Sequence, residues 1–234
     1  MGHRKNGLKA FGLSFLAVLG LMAFVAAGAQ ANWEVEGKEL TTNETVKVEQ
    51  VSVAKLVVSA KNIEFQCAKV AQETGLKLVA KSGTAEGKVK FSSCKAFSPP
   101  GSGTESKNCN PKEPIVAGGK ALLKLHNGQS YVLFEPPTEG GKFTTVEVGE
   151  LCALTETSDV TGETVFECGE LNSGLWLHED CATSKISHDV RPASASLFPT
   201  EKLSFGKSEA TLAGDALVEL NGTNIGKSWA GGHV

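Results

Sequence analysis

The chain lacks several short motifs that mark enzymes and metal sites. None of its six cysteines belongs to a Cys-x-x-Cys pair, which structural zinc sites usually contain. Gly-x-Ser-x-Gly, the nucleophile motif of α/β-hydrolases, is missing, and so is the Asp-x-Asp-x-Asp-Gly loop that binds calcium. These absences predict a protein that is not an enzyme and that has no catalytic residue, resident metal or cofactor.

An excess of positive charge is also lacking. The formal net charge is −3 at pH 7. Without residues 1–31 the chain loses Arg4, Lys5 and Lys9 and no acidic residue, which leaves 20 basic against 26 acidic residues and a net charge of −6. Nucleic-acid binding depends on a basic surface that releases counterions. We therefore expect no nucleic-acid partner.

The first 31 residues have the pattern of a secretory signal peptide. Basic residues precede an apolar stretch at 10–27, and Ala29-Gln30-Ala31 places small residues at both positions that a signal peptidase reads. A membrane anchor is the alternative, because 18 apolar residues lie near the lower limit for spanning a bilayer. The small-residue end favours a removable signal with cleavage before Asn32. We expect a secreted or otherwise extracytoplasmic protein with no integral membrane segment after cleavage.

Hydrophobic residues beyond the signal alternate with polar ones at a period of two, which is typical of strands with one buried face. Ile63/Phe65/Cys67 and Ala216/Val218/Leu220 are examples, and turn formers such as Asn127-Gly128 separate the runs. The best helical candidate, residues 51–60, is rich in valine and favours a strand. The pattern predicts an all-β fold, an antiparallel sandwich or barrel.

Several segments recur in the same order, which suggests an internal duplication of a unit of roughly 80 residues. The alternative is chance similarity between strand-turn-strand sequences. Duplication predicts a first β repeat at 32–130 and a second at 131–234, or one combined domain. The matching pairs are 45–48 with 145–148, 65–67 with 166–168, 74–78 with 173–177, and 117–125 with 212–220.

All six cysteines lie beyond residue 31, and an even number in an exported chain predicts disulfides. Cys67 and Cys168 are equivalent in the two copies, and Cys94 and Cys181 are the cysteines that follow them. The duplication therefore predicts bonds Cys67–Cys94 and Cys168–Cys181. Cys109 and Cys152 have no counterparts, so they are expected to pair with each other.

Trp176 and Tyr131 are the candidate ligand-binding residues, because exposed aromatic rings stack on sugars. Trp176 lies between Leu175 and Leu177, so if these leucines are in the core, the indole is exposed. Packing of Trp176 between two β layers is the alternative.

His178 and His188, with a nearby carboxylate, could also bind a metal such as zinc. Their spacing matches no metal-site motif, and a polar hairpin end is the favoured interpretation.

The segments Asn127–Pro136, Gly174–Leu177 and Leu212–Ala216 resemble a group of uncharacterised exported bacterial proteins with signal peptides, scattered cysteines and β-rich mature parts. The resemblance covers much of residues 120–234 and implies a bacterial, exported protein, without an activity or a site. The leading hypothesis is a secreted or envelope-associated, non-enzymatic structural or binding protein. A carbohydrate or small-ligand binder that uses exposed aromatics is the first alternative, and an extracellular hydrolase is the second. A cell-envelope component or glycan is the expected partner.

Overall fold

The computed structural model describes residues 32–232 except 153, 155, 156, 173 and 174. The predicted signal peptide lies outside these residues. The described part is all-β, as the alternation predicts, with short 3₁₀ turns only at Ser59–Lys61 and Lys107–Cys109. Neither of these turns, nor any other described segment, forms a helix with the length and hydropathy needed to cross a membrane.

The strands, numbered in chain order, are β1 (Trp33–Val35), β2 (Lys38–Glu39), β3 (Glu44–Gln50), β4 (Ala54–Val58), β5 (Ile63–Leu78), β6 (Thr84–Phe97), β7 (Ile115–His126), β8 (Gln129–Glu135), β9 (Lys142–Glu147), β10 (Thr157–Gly162), β11 (Thr164–Asn172), β12 (Leu175–Glu179), β13 (Ser187–Pro192), β14 (Leu203–Phe205), β15 (Ser208–Ala213), β16 (Ala216–Asn221) and β17 (Trp229–Gly231).

Eight antiparallel strands close into a barrel in the order β3-β16-β13-β11-β8-β7-β6-β5, and β5 pairs back onto β3. The hairpin between β7 and β8 turns at Asn127 and Gly128, whose φ angles are 51° and 79°. Positive φ at both central positions matches the right-handed twist of the strands, so this turn brings β7 and β8 into register. The prediction of an antiparallel barrel or sandwich is confirmed in its barrel form.

The barrel wall splits where the strands β3 and β4 meet. β3 pairs with the end of β5, whereas β4 pairs with its beginning and leads into a side sheet of order β4-β15-β14-β10-β9. Gly214 has a φ of 126° at the matching break between β15 and β16. The alternation of Val51 and Val53 predicts a strand, but both lie in the break and are exposed, because the chain must turn there from one sheet into the other.

A three-stranded sheet of order β17-β1-β2 packs its tryptophans on residues of the barrel wall. Trp33 and Trp229 are both buried, with ring centroids 5.9 Å apart, and they pack with Val46, Leu78 and Leu220. The Trp33 Nε1 donates to the carbonyl of Thr84 at 2.7 Å, which satisfies the polar end of the indole.

Three disulfides join Cys67 to Cys94, Cys109 to Cys152 and Cys168 to Cys181, which are the predicted pairs, and no cysteine is free among the described residues. Cys67 and Cys94 lie directly opposite each other on β5 and β6. The Cys109–Cys152 bond holds the long loop before β7 to the segment after β9.

The structure does not show the duplication from which these pairs were predicted. Residues 117–125 lie within the single strand β7, whereas 212–220 cross the break between β15 and β16. Part of the third match, residues 173 and 174, lies outside the described residues. The expected boundary between residues 130 and 131 falls inside β8, and β3 pairs with β16 from the other half of the chain.

Candidate functional site

The inner face of β6 and β7 is built from small residues. Ala85 and Gly87 on β6, and Ala117, Gly119 and Ala121 on β7, occupy alternate positions and so share one face. A Cβ at Gly119 would lie 2.5 Å from the ring of Phe134, which occupies the space that the glycine leaves. Leu76 occupies the space beside Gly87 in the same way, at 2.5 Å from a Cβ there. An eight-stranded barrel has just enough room inside for side chains or for one small ligand, and open space remains beside the alanines Ala85, Ala117 and Ala121.

That space is a cavity of about 360 Å³. Every barrel strand contributes to its lining, and the cavity continues beneath the side sheet to Phe143 and Leu203. Aromatic rings form part of the wall, since Phe134 stacks on Phe143 at 5.3 Å and meets Phe166 edge-on at 6.1 Å. The lining is predominantly apolar, and it includes the Cys168–Cys181 disulfide and Cys67 of the Cys67–Cys94 disulfide.

Most polar lining residues are engaged in structural contacts at the break between β3 and β4. Ser52 Oγ donates to Asp215 Oδ2 at 2.8 Å and accepts from the Asp215 backbone N–H at 2.8 Å. The Gln50 amide donates to the carbonyls of Ser52 and Cys67 at 2.8 and 3.1 Å. Lys55 Nζ lies 3.8 Å from Glu64 Oε1. These groups stabilise the place where the wall divides.

The Gln50 contact also crosses a seam in the barrel wall. Among the described residues, β3 pairs with β5 only as far as Val46–Leu76, and β4 takes over at Cys67. Between these points the backbones of the two edges are joined by side chains: Gln50 reaches the Cys67 carbonyl and Gln72 donates to the Val46 carbonyl. The seam, residues 47–53 and 68–75, is the interval in which these two edges, in the described structure, have no backbone ladder with each other.

His188 is the imidazole in the cavity lining. It lies on β13, is 4% exposed, and its Nε2 is 2.9 Å from the Trp229 carbonyl oxygen. Its ring also meets the Trp229 indole edge-on at 4.5 Å. Burial lowers the pKa of His188 because a charged imidazolium would lose its hydration, although the hydrogen bond to Trp229 opposes this shift.

The two predicted ligand-binding residues lie on the outer face of the barrel. Tyr131 is buried at 4% exposure against Val165 and Phe198, and burial raises the pKa of its hydroxyl. Trp176 is partly buried, and the Arg191 guanidinium lies 4.3 Å from its ring centroid. The pattern of leucines is the reverse of the expectation: Leu175 and Leu177 are 66% and 43% exposed. The reason is that β12 pairs only with β11 and lies outside the strand order of the barrel. Among the described residues, the face of β12 that carries Leu175 and Leu177 therefore has no second layer of the protein packed on it.

We call Tyr131, Glu167, Trp176, His178 and Arg191 the outer aromatic cluster. His178 stacks on Tyr131 with centroids 5.1 Å apart. Its Nδ1 is 3.5 Å from Glu167 Oε2, an ion-pair distance without the geometry of a hydrogen bond, and Arg191 Nε donates to Glu167 Oε1 at 2.5 Å. Both ring nitrogens of His178 and the Trp176 Nε1 are buried without a hydrogen-bond partner.

The metal alternative required His178 and His188 to converge. His178 pairs with Gly169 and therefore lies on the outer face with it. Asp189 also pairs with Gly169 and lies on that face, so the adjacent residue His188 points inward. The two imidazoles are therefore on opposite faces of the wall. In the described part of the chain, no three His, Cys, Asp or Glu residues form a group that could hold a metal.

Comparison of the chain with protein-family models, curated proteins and solved structures found no match. The cavity is therefore interpreted from its own geometry. Sequence reasoning missed it, although a signal was present: alanine and glycine recur at every second position in 85–87 and again in 117–121. Small residues at the same parity of two successive strands indicate a shared face that takes in large side chains from neighbouring strands or leaves space for a ligand.

Proposed function

We propose that this protein is an exported, non-enzymatic binding protein whose barrel cavity holds one small apolar molecule. The observation that carries the proposal is the apolar cavity of about 360 Å³. Ligand pockets in proteins usually measure about 300–1,000 Å³ and are predominantly apolar with few polar groups. The three disulfides support export, because such bonds persist in oxidising compartments.

The free energy of an empty cavity supports occupancy. Atoms that line an unfilled apolar space lack packing partners on that side. A ligand that fills the space restores the lost contacts and adds its binding free energy to the folded state.

The test is titration of the purified protein with N-phenyl-1-naphthylamine, an uncharged apolar dye that fluoresces when it leaves water. We expect saturable binding of one dye per chain. Ala117→Phe fills the cavity from β7 and should weaken dye binding at least tenfold, on the order of 1.4 kcal/mol. Val116→Phe is the matched control, because its side chain lies on the opposite face of the same strand, and it should leave dye binding unchanged.

Two results would contradict the proposal. One is equal dye affinity in the wild type and Ala117→Phe. The other is absence of dye binding together with native mass spectra of protein from its own source that show only the mass of the chain. Circular dichroism of both variants checks that the barrel is intact.

The outer aromatic cluster is the second candidate site, for a cell-envelope glycan. Its support is the set of buried nitrogens on Trp176 and His178 without partners, since buried polar groups usually have one and sugar hydroxyls could supply it. Titration with cell-wall glycans should quench tryptophan fluorescence in a saturable way. The change should be lost in Trp176→Ala and kept in Leu175→Ala; an identical response in both variants would exclude the site.

A further inference from the structure

The polar chemistry of the cavity is unevenly distributed. At the break between β3 and β4, Gln50, Ser52 and Asp215 bond to one another or to nearby backbone, and Lys55 faces Glu64. His188 lies apart from this group, beside Trp229 of the small three-stranded sheet. A molecule inside the cavity would meet hydrocarbon, aromatic rings and sulfur over most of its surface, and an imidazole at this one place.

The hydrogen bond to the Trp229 carbonyl fixes which ring nitrogen of His188 carries the hydrogen. A carbonyl oxygen only accepts hydrogen bonds, so the Nε2 of His188 must carry the hydrogen of the 2.9 Å contact. In the uncharged ring the other nitrogen, Nδ1, then has a lone pair and no hydrogen. It can accept a hydrogen bond from a ligand but cannot donate one.

The lining also disfavours a charged ligand at this position. Burying an ionised carboxylate costs far more than burying a hydroxyl unless an opposite charge is adjacent. The cation in the lining, Lys55, already has Glu64 as its partner at 3.8 Å. His188, 4% exposed and hydrogen-bonded through Nε2, offers a neutral acceptor.

We propose that the ligand of the cavity is an uncharged apolar molecule with a hydroxyl group, which donates a hydrogen bond to the Nδ1 of His188. This inference rests on the proposed function and specifies the class of ligand. His188 becomes the specificity-determining residue: it favours an alcohol over an ether or hydrocarbon of the same size. An alcohol gains a bond at Nδ1, whereas the ether covers the nitrogen and leaves it unpaired.

Competition between two isomers tests the hydroxyl directly. In wild-type protein loaded with N-phenyl-1-naphthylamine, 1-decanol and methyl nonyl ether have the same atoms and differ in the hydroxyl donor. Because a buried hydrogen bond contributes about 1 kcal/mol net, we expect 1-decanol to displace the dye at a concentration about five- to tenfold lower than the ether, after correction for their different partition from water. Decanoate, tested at pH 8, should displace the dye less well than 1-decanol.

His188→Leu should bring the displacing concentrations of the alcohol and the ether to the same value, and His188→Gln, which keeps a polar acceptor, should retain part of the difference. A measurement without a variant uses protein labelled with ¹⁵N-histidine. The Nδ1 resonance of His188 should move upfield on adding 1-decanol and stay in place with the ether.

The outcomes separate the two proposals. Equal displacement by alcohol and ether, tighter binding of decanoate, or an unmoved Nδ1 resonance would overturn the role of His188 and leave cavity binding intact. Failure of the dye to bind, together with native mass spectra that show only the mass of the chain, would overturn the proposed function itself, and the ligand class with it.

Discussion

The folded protein disfavours protonation of His188. Burial lowers the pKa of His188 from its ordinary value of 6.5, with the Lys185 charge acting in the same direction and the Trp229 carbonyl, Glu179 and Asp189 opposing it. The unfolded chain therefore binds this proton at a higher pH than the folded chain does. The contribution of neutral His188 to stability is complete above pH 6.5 and is lost as pH falls below it.

The corresponding prediction compares wild type with His188→Gln, which cannot titrate. Between pH 6.5 and the lower folded-state pKa, the free energy of unfolding of the wild type should fall relative to the variant by up to ~1.4 kcal/mol per pH unit. Urea unfolding at pH 7.5, 6.5 and 5.5 measures the difference in free energy of unfolding between the two proteins. Ionisable groups that both proteins contain contribute equally and cancel in this difference. A difference that stays constant across this range would show that folding does not lower the pKa of His188.

At the scale of secondary-structure elements, the seam is the least supported part of the barrel wall. β3 leaves β5 after Val46, and β4 joins it only at Cys67, so side-chain amides replace the backbone ladder over this interval. Side-chain bonds need two ordered partners and cost more conformational entropy than a continuous ladder. Opening of the seam would give a small molecule a path to the cavity, since Gln50 and Val70 on its two edges also line that cavity.

We expect Gln50→Met to weaken the seam, because the thioether cannot donate hydrogen bonds to the carbonyls of Ser52 and Cys67. The cost should be about 1–3 kcal/mol in free energy of unfolding, with faster amide hydrogen exchange in residues 68–73. Gln66→Met is the control, because its amide bonds to Glu64 where β4 and β5 are fully paired. Equal exchange in both variants would mean that the Gln50 amide does not hold the seam.

At the scale of the whole molecule, the three disulfides differ in the length of chain that each one closes. Their sequence separations are 27 residues for Cys67–Cys94, 43 for Cys109–Cys152 and 13 for Cys168–Cys181. A longer closed loop removes more conformational entropy from the unfolded chain. Cys109–Cys152 is therefore expected to stabilise the protein most.

Replacing both cysteines of one disulfide with alanine tests this ranking of the disulfides. Loss of Cys109–Cys152 should lower the free energy of unfolding by ~4 kcal/mol and loss of Cys168–Cys181 by ~3 kcal/mol. Urea unfolding of each double variant gives the two values. If removing the shorter bond costs more, its place in the cavity lining, rather than chain entropy, would dominate its effect.

Much of the fold was predictable because it depends on neighbours along the chain. Alternation marked the segments that became strands, and Asn127-Gly128 marked a hairpin, since both patterns act through local backbone geometry. The cysteine partners were also predicted, although the repeat used to choose them is not shown by the structure. Cys67 and Cys94 pair because β5 and β6 form a long hairpin that places them opposite each other.

What the sequence by itself determined is which residues share a face of a strand; the tertiary structure decided which of those faces points inward. Leu175 and Leu177 alternate with polar or aromatic residues just as Val218 and Leu220 alternate with theirs. The first pair is nevertheless exposed, whereas the second pair packs in the core. The inward direction depends on how β3 and β5, distant along the chain, close the barrel and on where β4 leaves it. Barrel closure brings His188 on β13 to the same cavity as Ala117 and Phe134 on the β7–β8 hairpin, because no local pattern relates β13 to that hairpin.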